Sequence, residues 1–281
     1  MMSAATQPAT KKKSKAMIWL LVFAIAAGGL YKLNLIRKDV GGIKNMFSRA
    51  YWKERMNGTD LYNPQTKFFK RGNRSNHEVC LTFDDGPHPA SCQLILDILK
   101  KYDAKASFFL VGTRIKEHPE LAKAILDSGN EVGNHTQDHQ RLDKLRADQV
   151  KNELVNCETN FFRATGSHMH LFRPPGMRFN DDIMATVNKM NYTTVGWDVG
   201  AKDFVGANLK GKTQSPQLIA DSVLKQLDDG VIILLHDNPD TAAALPAILD
   251  KLKADGYKVL DASQMMAHLP KPVIVETNAR H

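Results

Sequence analysis

Two adjacent carboxylates, Asp84 and Asp85, stand in the stretch LTFDDGPHP (residues 81–89), where an apolar run gives way to a Gly-Pro turn. A turn needs one Asp or Asn, and like charges this close repel, so the doubling asks for a chemical reason. Further along, His135 and His139 lie in GNHTQDH, Arg173 in FRPPG, Asp203 in WDVGAKDF and His236 in VIILLHD. Each follows a stretch that reads as a strand. Chance would scatter such groups over both ends of a parallel sheet, whereas function in α/β folds gathers at the C-terminal ends.

The residue types suggest metal-assisted hydrolysis. If the chain turns helical after its short strand, the i,i+4 spacing points His135 and His139 the same way. Two imidazoles and one carboxylate suit one divalent cation with open positions: Zn first, with Co, Ni or Fe accommodated as well. One Asp can then bind the cation while the other stays free as general base, and the cation's field makes the pair tolerable. A cation lowers the pKa of bound water, and the free carboxylate can take that water's proton as it attacks a carbonyl. Arg173 is suited to hold that base ionised and oriented. His236 suits either a general acid or a third ligand, and its position at the end of an apolar strand leaves both open. Asp198 and Asp237 read as hydrogen-bond acceptors within their loops.

The elements that must carry these groups alternate. Strands are expected at Glu78–Phe83, Ala106–Val111, Glu131–Gly133, His170–Phe172, Tyr192–Trp197, Val231–Leu235 and Tyr257–Leu260. Helices are expected from Cys92 to Tyr102, from Pro119 to Gly129, over 146–163 and 181–190, from Ser215-Pro216 to near Gly230, and from Thr241 to Ala254. Near-continuous apolar strands between helices predict an α/β fold with buried parallel strands, closed as a barrel.

Across 281 residues the composition is that of a globular protein, 43% hydrophobic and 24% charged. The net charge of +8 comes from residues 11–55, where eleven lysines and arginines face two acids. Nucleic acid is therefore not the expected partner, and membrane headgroups are. After a basic tail (1–15), an apolar run over 16–36 reads as a transmembrane anchor, with a cleaved signal peptide as the rival. Residues 37–75 read as a connector, 76–268 as the catalytic domain and 269–281 as a C-terminal tail. The lysines at 11–15 favour an inside N-terminus and a domain exported to the periplasm or cell wall, or secreted if the segment is cleaved. Three cysteines, Cys80, Cys92 and Cys157, make no disulfide framework and are expected to be buried thiols.

Taken together, TFDDGP, HTQDH, RPP, WDVGAKDF and LLHD resemble, in order, the five motifs of the polysaccharide deacetylase family, carbohydrate esterase family 4. The resemblance covers about 76–268 and implies a distorted seven-stranded β/α barrel. It implies Asp84 as catalytic base, Asp85, His135 and His139 as metal ligands, and Arg173 as the residue orienting the base. It further implies Asp203 as the carboxylate tuning His236, the acid, with Leu234 lining the acetyl pocket and the Gly176 N–H stabilising the oxyanion. Pro175 and Phe204 fall at groove-lining positions. Two places depart from the pattern: Gly176 stands where an aromatic is common, and D-x-x-D-W becomes Gly200, Asp203 and Phe204. The implied activity is N-deacetylation of a cell-envelope polysaccharide, peptidoglycan first. The alternatives are an O-acetylated or lipid-linked glycan, or a non-catalytic glycan-binding wall protein.

Overall fold

The computed structural model describes residues 61–204 and 215–270. The expected anchor at 16–36 lies outside the described residues, among which no helix is long and apolar enough to cross a membrane.

The chain begins with an antiparallel pair, β1 (Tyr62–Asn63) and β2 (Phe68–Phe69). A long strand, β3 (Glu78–Gly86), leads to α1 (Cys92–Lys101) and β4 (Ser107–Leu110). Two short helices, α2 (Gly112–Glu117) and α3 (Pro119–Asp127), precede β5 (Glu131–Asn134). Then come α4 (Ala147–Thr165), β6 (Leu171–Phe172), α5 (Asp181–Lys189), β7 (Thr193–Val195) and β8 (Val199–Gly200). The chain continues with α6 (Pro216–Leu224), β9 (Ile232–His236), α7 (Pro239–Ala254), β10 (Lys258–Leu260) and α8 (Ala262–Ala267).

Local chemistry sets these limits. Proline occupies the first turns of α3, α6 and α7, where its missing N–H is harmless. Side chains of Asn180, Ser215, Asn238 and Asp261 accept from otherwise unpaired N–H groups at the starts of α5, α6, α7 and α8. The longest helix among the described residues, α4, buries Val150, Leu154, Cys157 and Phe161 on one face and stops at Gly166, whose φ of 74° closes the last turn.

The strands run β1-β2-β7-β6-β5-β4-β3-β9-β8, with β10 paired to the first half of β3. All seven strands expected from the sequence are present, but three more, β1, β2 and β8, bring the sheet to ten strands among the described residues. The closed barrel of seven strands is thus corrected to an open half-barrel whose edges, β1 and β8, do not pair with each other among the described residues. Both edge strands are two residues long, which limits further pairing. Within the stretch 37–75 lie β1 and β2, and β2 pairs in parallel with β7.

Side chains on β3 alternate between two cores. Val79, Leu81 and Phe83 join the layer under the helices. Cys80 faces the interior of the curved sheet with Phe69, Phe109, Leu171, Val195 and Ile232, plugged by Ala262 and Met265 of α8. Strict alternation puts Thr82 and Asp84 on that inner face as well. The three cysteines are buried and free, as expected.

Candidate active site

Alternation alone would send Asp84 and Asp85 to opposite faces of β3. The ladder with β4 prevents this: Asp84 pairs with Phe109 and Gly86 with Leu110, so Asp85 has no counterpart. The extra residue forms a bulge with φ of 65° at Asp85, a region Asp tolerates better than most residues. Both carboxylates consequently approach one imidazole, with His135 Nε2 at 3.7 Å from Asp84 Oδ2 and 3.5 Å from Asp85 Oδ1.

His135 and His139 do not sit on a helix, contrary to the expectation. The segment after β5 is an irregular loop with positive φ at Thr136 and His139. Asn134 and Glu153 shape it: Asn134 Oδ1 accepts from the Thr136 N–H, and Glu153, a buried acid of α4, accepts from the Asp138 N–H. This loop brings the two rings to 5.0 Å between centroids and His139 Nε2 to 3.2 Å from Asp85 Oδ1. Helical periodicity was the wrong cue, and the outcome it predicted arises from loop geometry.

Asp85, His135 and His139 each offer a ligand atom within 4.8 Å of the others. Three features fit this trio to a divalent cation. Asp85 Oδ1 is buried and accepts no hydrogen bond. His135 Nδ1–H donates to the Arg173 carbonyl at 2.7 Å, which leaves Nε2 with a lone pair facing the carboxylates. Burial pushes the His135 pKa down, and this keeps the ring neutral as a ligand must be. Burial would raise the Asp85 pKa, but its basic neighbours, the His135, His139 and His236 rings and the Arg114 guanidinium, outweigh it and hold the carboxyl low.

Asp84 has a different environment. Its Oδ1 lies 2.6 Å from Nη1 of Arg173, a fully buried side chain. The same guanidinium donates to Thr82 Oγ1 and to the carbonyls of Val195 and Gly196, and stacks 4.1 Å over the Phe109 ring. The fork is spent on fixed partners, so one Asp84 oxygen is clamped and the other points toward His135.

His236 stands beside Asp84, its register partner across the β3–β9 ladder. Its Nδ1 lies 2.8 Å from Asp203 Oδ1, and its backbone N–H donates to Asp203 Oδ2. Thr241 Oγ1 also donates to Asp203, which is buried. Burial works against a charged ring, but the Asp203 bond and charge, joined by Asp84 and Asp85, push His236 up to about 9. The imidazolium is therefore the resting form at neutral pH. Among the described residues the ligand trio does not include His236.

The remaining expected residues lie around this centre. Pro175 and Gly176 form a 3₁₀ turn, Pro175–Met177, that follows Arg173, with Gly176 at φ of 59°. Leu234 is half-buried on β9 opposite Thr82, and exposed Phe204 packs 5.7 Å from the His236 ring. Asp198 accepts from the Ile232 N–H, and Asp237 accepts from the His88 N–H and the Ser91 hydroxyl, so both serve their loops as expected. Sequence reasoning missed Thr82, Glu153, Thr241 and Arg114. Thr82 alone had a signal, its place on the same strand face as Asp84.

Residues 71–195 match the family described as polysaccharide deacetylase. A peptidoglycan-N-acetylglucosamine deacetylase of Bacillus cereus is 33% identical over 196 residues, 68% of this chain and 88% of that protein. The peptidoglycan-N-acetylmuramic acid deacetylase PdaC of Bacillus subtilis is 36% identical over 188 residues, 66% of this chain and 38% of that protein. The solved structure of PdaC superposes with a TM-score of 0.63 at 33% identity, covering 70% of this chain and 93% of that one. A CE4 family pseudoenzyme from Bacillus anthracis, BA3943, superposes with a TM-score of 0.66 at 30% identity, covering 72% of this chain and 69% of that one. On motifs, fold and these likenesses together, the chain belongs to the polysaccharide deacetylase family.

Proposed function

We propose that this protein hydrolyses the acetamide of N-acetylated sugars in peptidoglycan, releasing acetate and leaving a free amine. One observation carries the reading: a carboxylate clamped by Arg173 and a carboxylate-paired His236 flank the Asp85, His135 and His139 trio on one face. A glycan-binding protein needs no such base and acid, each anchored by its own buried partner. The similarity to relatives named as peptidoglycan deacetylases supports the substrate class.

In this mechanism Asp84 takes the proton of the attacking water, and Arg173, bonded to its Oδ1, keeps the carboxylate aimed. A divalent cation held by Asp85, His135 and His139, Zn or one of Co, Ni and Fe, would polarise the acetyl carbonyl and ease ionisation of the water. The Gly176 N–H stabilises the developing oxyanion, and His236 protonates the departing amine. Leu234 receives the acetyl methyl group, with Pro175 and Phe204 as walls of the sugar groove.

The test is acetate and amine release from peptidoglycan and chitooligosaccharides, with each of the four metals and with chelator. Release that chelator abolishes is expected, and no release from either glycan with any of the metals refutes the activity. The apolar run at 16–36 would tether the domain beside this substrate on the outer side of the membrane. Membrane fractionation with external protease treatment checks that placement.

A further inference from the structure

Three successive carbonyls at the end of β3 have three different fates. The Asp84 carbonyl accepts from the Asp237 N–H at 2.9 Å, and the Gly86 carbonyl accepts from the Val111 N–H at 2.9 Å. Between them, the bulge turns the Asp85 carbonyl out of the ladder, and the group that donates to it is the Arg114 guanidinium, through Nη1. Arg114 projects from α2, which starts immediately after β4 and is itself tied to the histidine loop. The Gly112 N–H donates to the Thr136 carbonyl and the Thr113 N–H to the Gln137 carbonyl, each at 2.9 Å. This approach requires Gly112, since a Cβ there would lie 2.2 Å from Gln137 Oε1 and 2.8 Å from Cys157 Cα. One short helix thus holds Asp85 at one end of the candidate ligand set and the loop of His135 and His139 at the other.

We propose that Arg114 is a positioning residue for the cation site: by holding the Asp85 carbonyl it fixes the bulge, and α2 registers that bulge against the histidine loop. It touches neither substrate nor cation. The inference rests on the reading of Asp85, His135 and His139 as a cation site. Its sign distinguishes it from simple electrostatics. A guanidinium near a dication repels it, so an Arg114 acting only through charge would weaken cation binding, and its removal would tighten binding. Positioning predicts the reverse, because outer groups that orient ligands support affinity by about 10- to 100-fold.

The experiment is calorimetric titration of the metal-free full chain with Zn²⁺, repeated with Co²⁺ while its visible absorption is recorded. Wild type, Arg114→Met and Arg114→Lys are compared, with thermal unfolding of each metal-free form. Wild type is expected to bind one cation per chain. Arg114→Met should bind it about 10- to 100-fold more weakly and alter the Co²⁺ spectrum at little change in metal-free melting temperature. Arg114→Lys, which keeps the charge and loses the planar fork, should also be weakened, and it decides alone if the Met variant does not fold. Affinity within twofold of wild type, or tighter binding, in these variants overturns the role of Arg114. No cation binding by wild type overturns the site reading itself.

Discussion

Asp84 and His236 are register partners on the adjacent parallel strands β3 and β9, so the candidate base and the candidate acid share one face of the sheet. Their outer partners lie on opposite sides of that pair. Arg173 follows β6 and anchors Asp84, while Asp203 follows β8 and anchors His236. A reaction that moves one proton in and another out needs such separate control of two neighbouring groups.

The Asp203–His236 pair makes the pH profile informative. The ordinary histidine value of 6.5 is raised to about 9 in the fold. Stability drawn from the pair is therefore fully present below pH 6.5 and is lost as pH rises through about 9. Turnover should fall over the same alkaline range as the acid loses its proton. Asp203→Asn removes the bonding carboxylate, so the alkaline limb of kcat should move toward neutrality. An unmoved limb in that variant contradicts the assignment of His236.

Breaking the Arg173–Asp84 pair should damage folding as well as turnover. Both side chains are buried, and Arg173→Met strands the Asp84 charge without its counterion. A loss of about 3–5 kcal/mol in urea unfolding is expected. Stability close to wild type would show that Asp84 does not depend on this partner.

Gly133 supports the same pair from behind. A Cβ at this position would meet the Phe109 ring at 2.6 Å, and Arg173 stacks on that ring. Gly133→Ala should destabilise the protein by about 1–3 kcal/mol through overpacking. It should also lower kcat more than it raises KM, since a shift of the ring disturbs the Arg173 guanidinium stacked on it. Unchanged denaturation and kinetics would contradict this packing.

Cation binding should stabilise the fold. At a hundredfold excess over Kd, Zn²⁺ is expected to add about 2.7 kcal/mol. Asp85→Asn and His139→Ala should abolish the thermal shift. Persistence of the shift in both variants would place the cation elsewhere.

How much of this was legible in the sequence follows from what carries the signal. Seven strands announced themselves between helix signals, even the two-residue β6, which stands just before the Pro pair, whereas β1, β2 and β8, as short, have no such flanking mark and show no period. The site residues were legible because their types are rare at strand ends. Their convergence was not, since period-two reasoning separates Asp84 from Asp85 and only the bulge unites them. The i,i+4 spacing of His135 and His139 suggested a helix, yet positive φ at Thr136 and His139 does the aiming. Supporting groups such as Glu153, Thr241 and Arg114 reach the site from distant or outer elements, and no local pattern marks them.

The most direct measurement is made on Asp84→Asn, with bound cation and released acetate counted per chain on the same N-acetylated glycan. If Asp85, His135 and His139 hold the cation while Asp84 serves only as base, this variant retains one cation at close to wild-type affinity. Its kcat falls by about 10²- to 10⁴-fold. Loss of the cation, or turnover near the wild-type rate, would contradict the division of labour between the two neighbouring carboxylates.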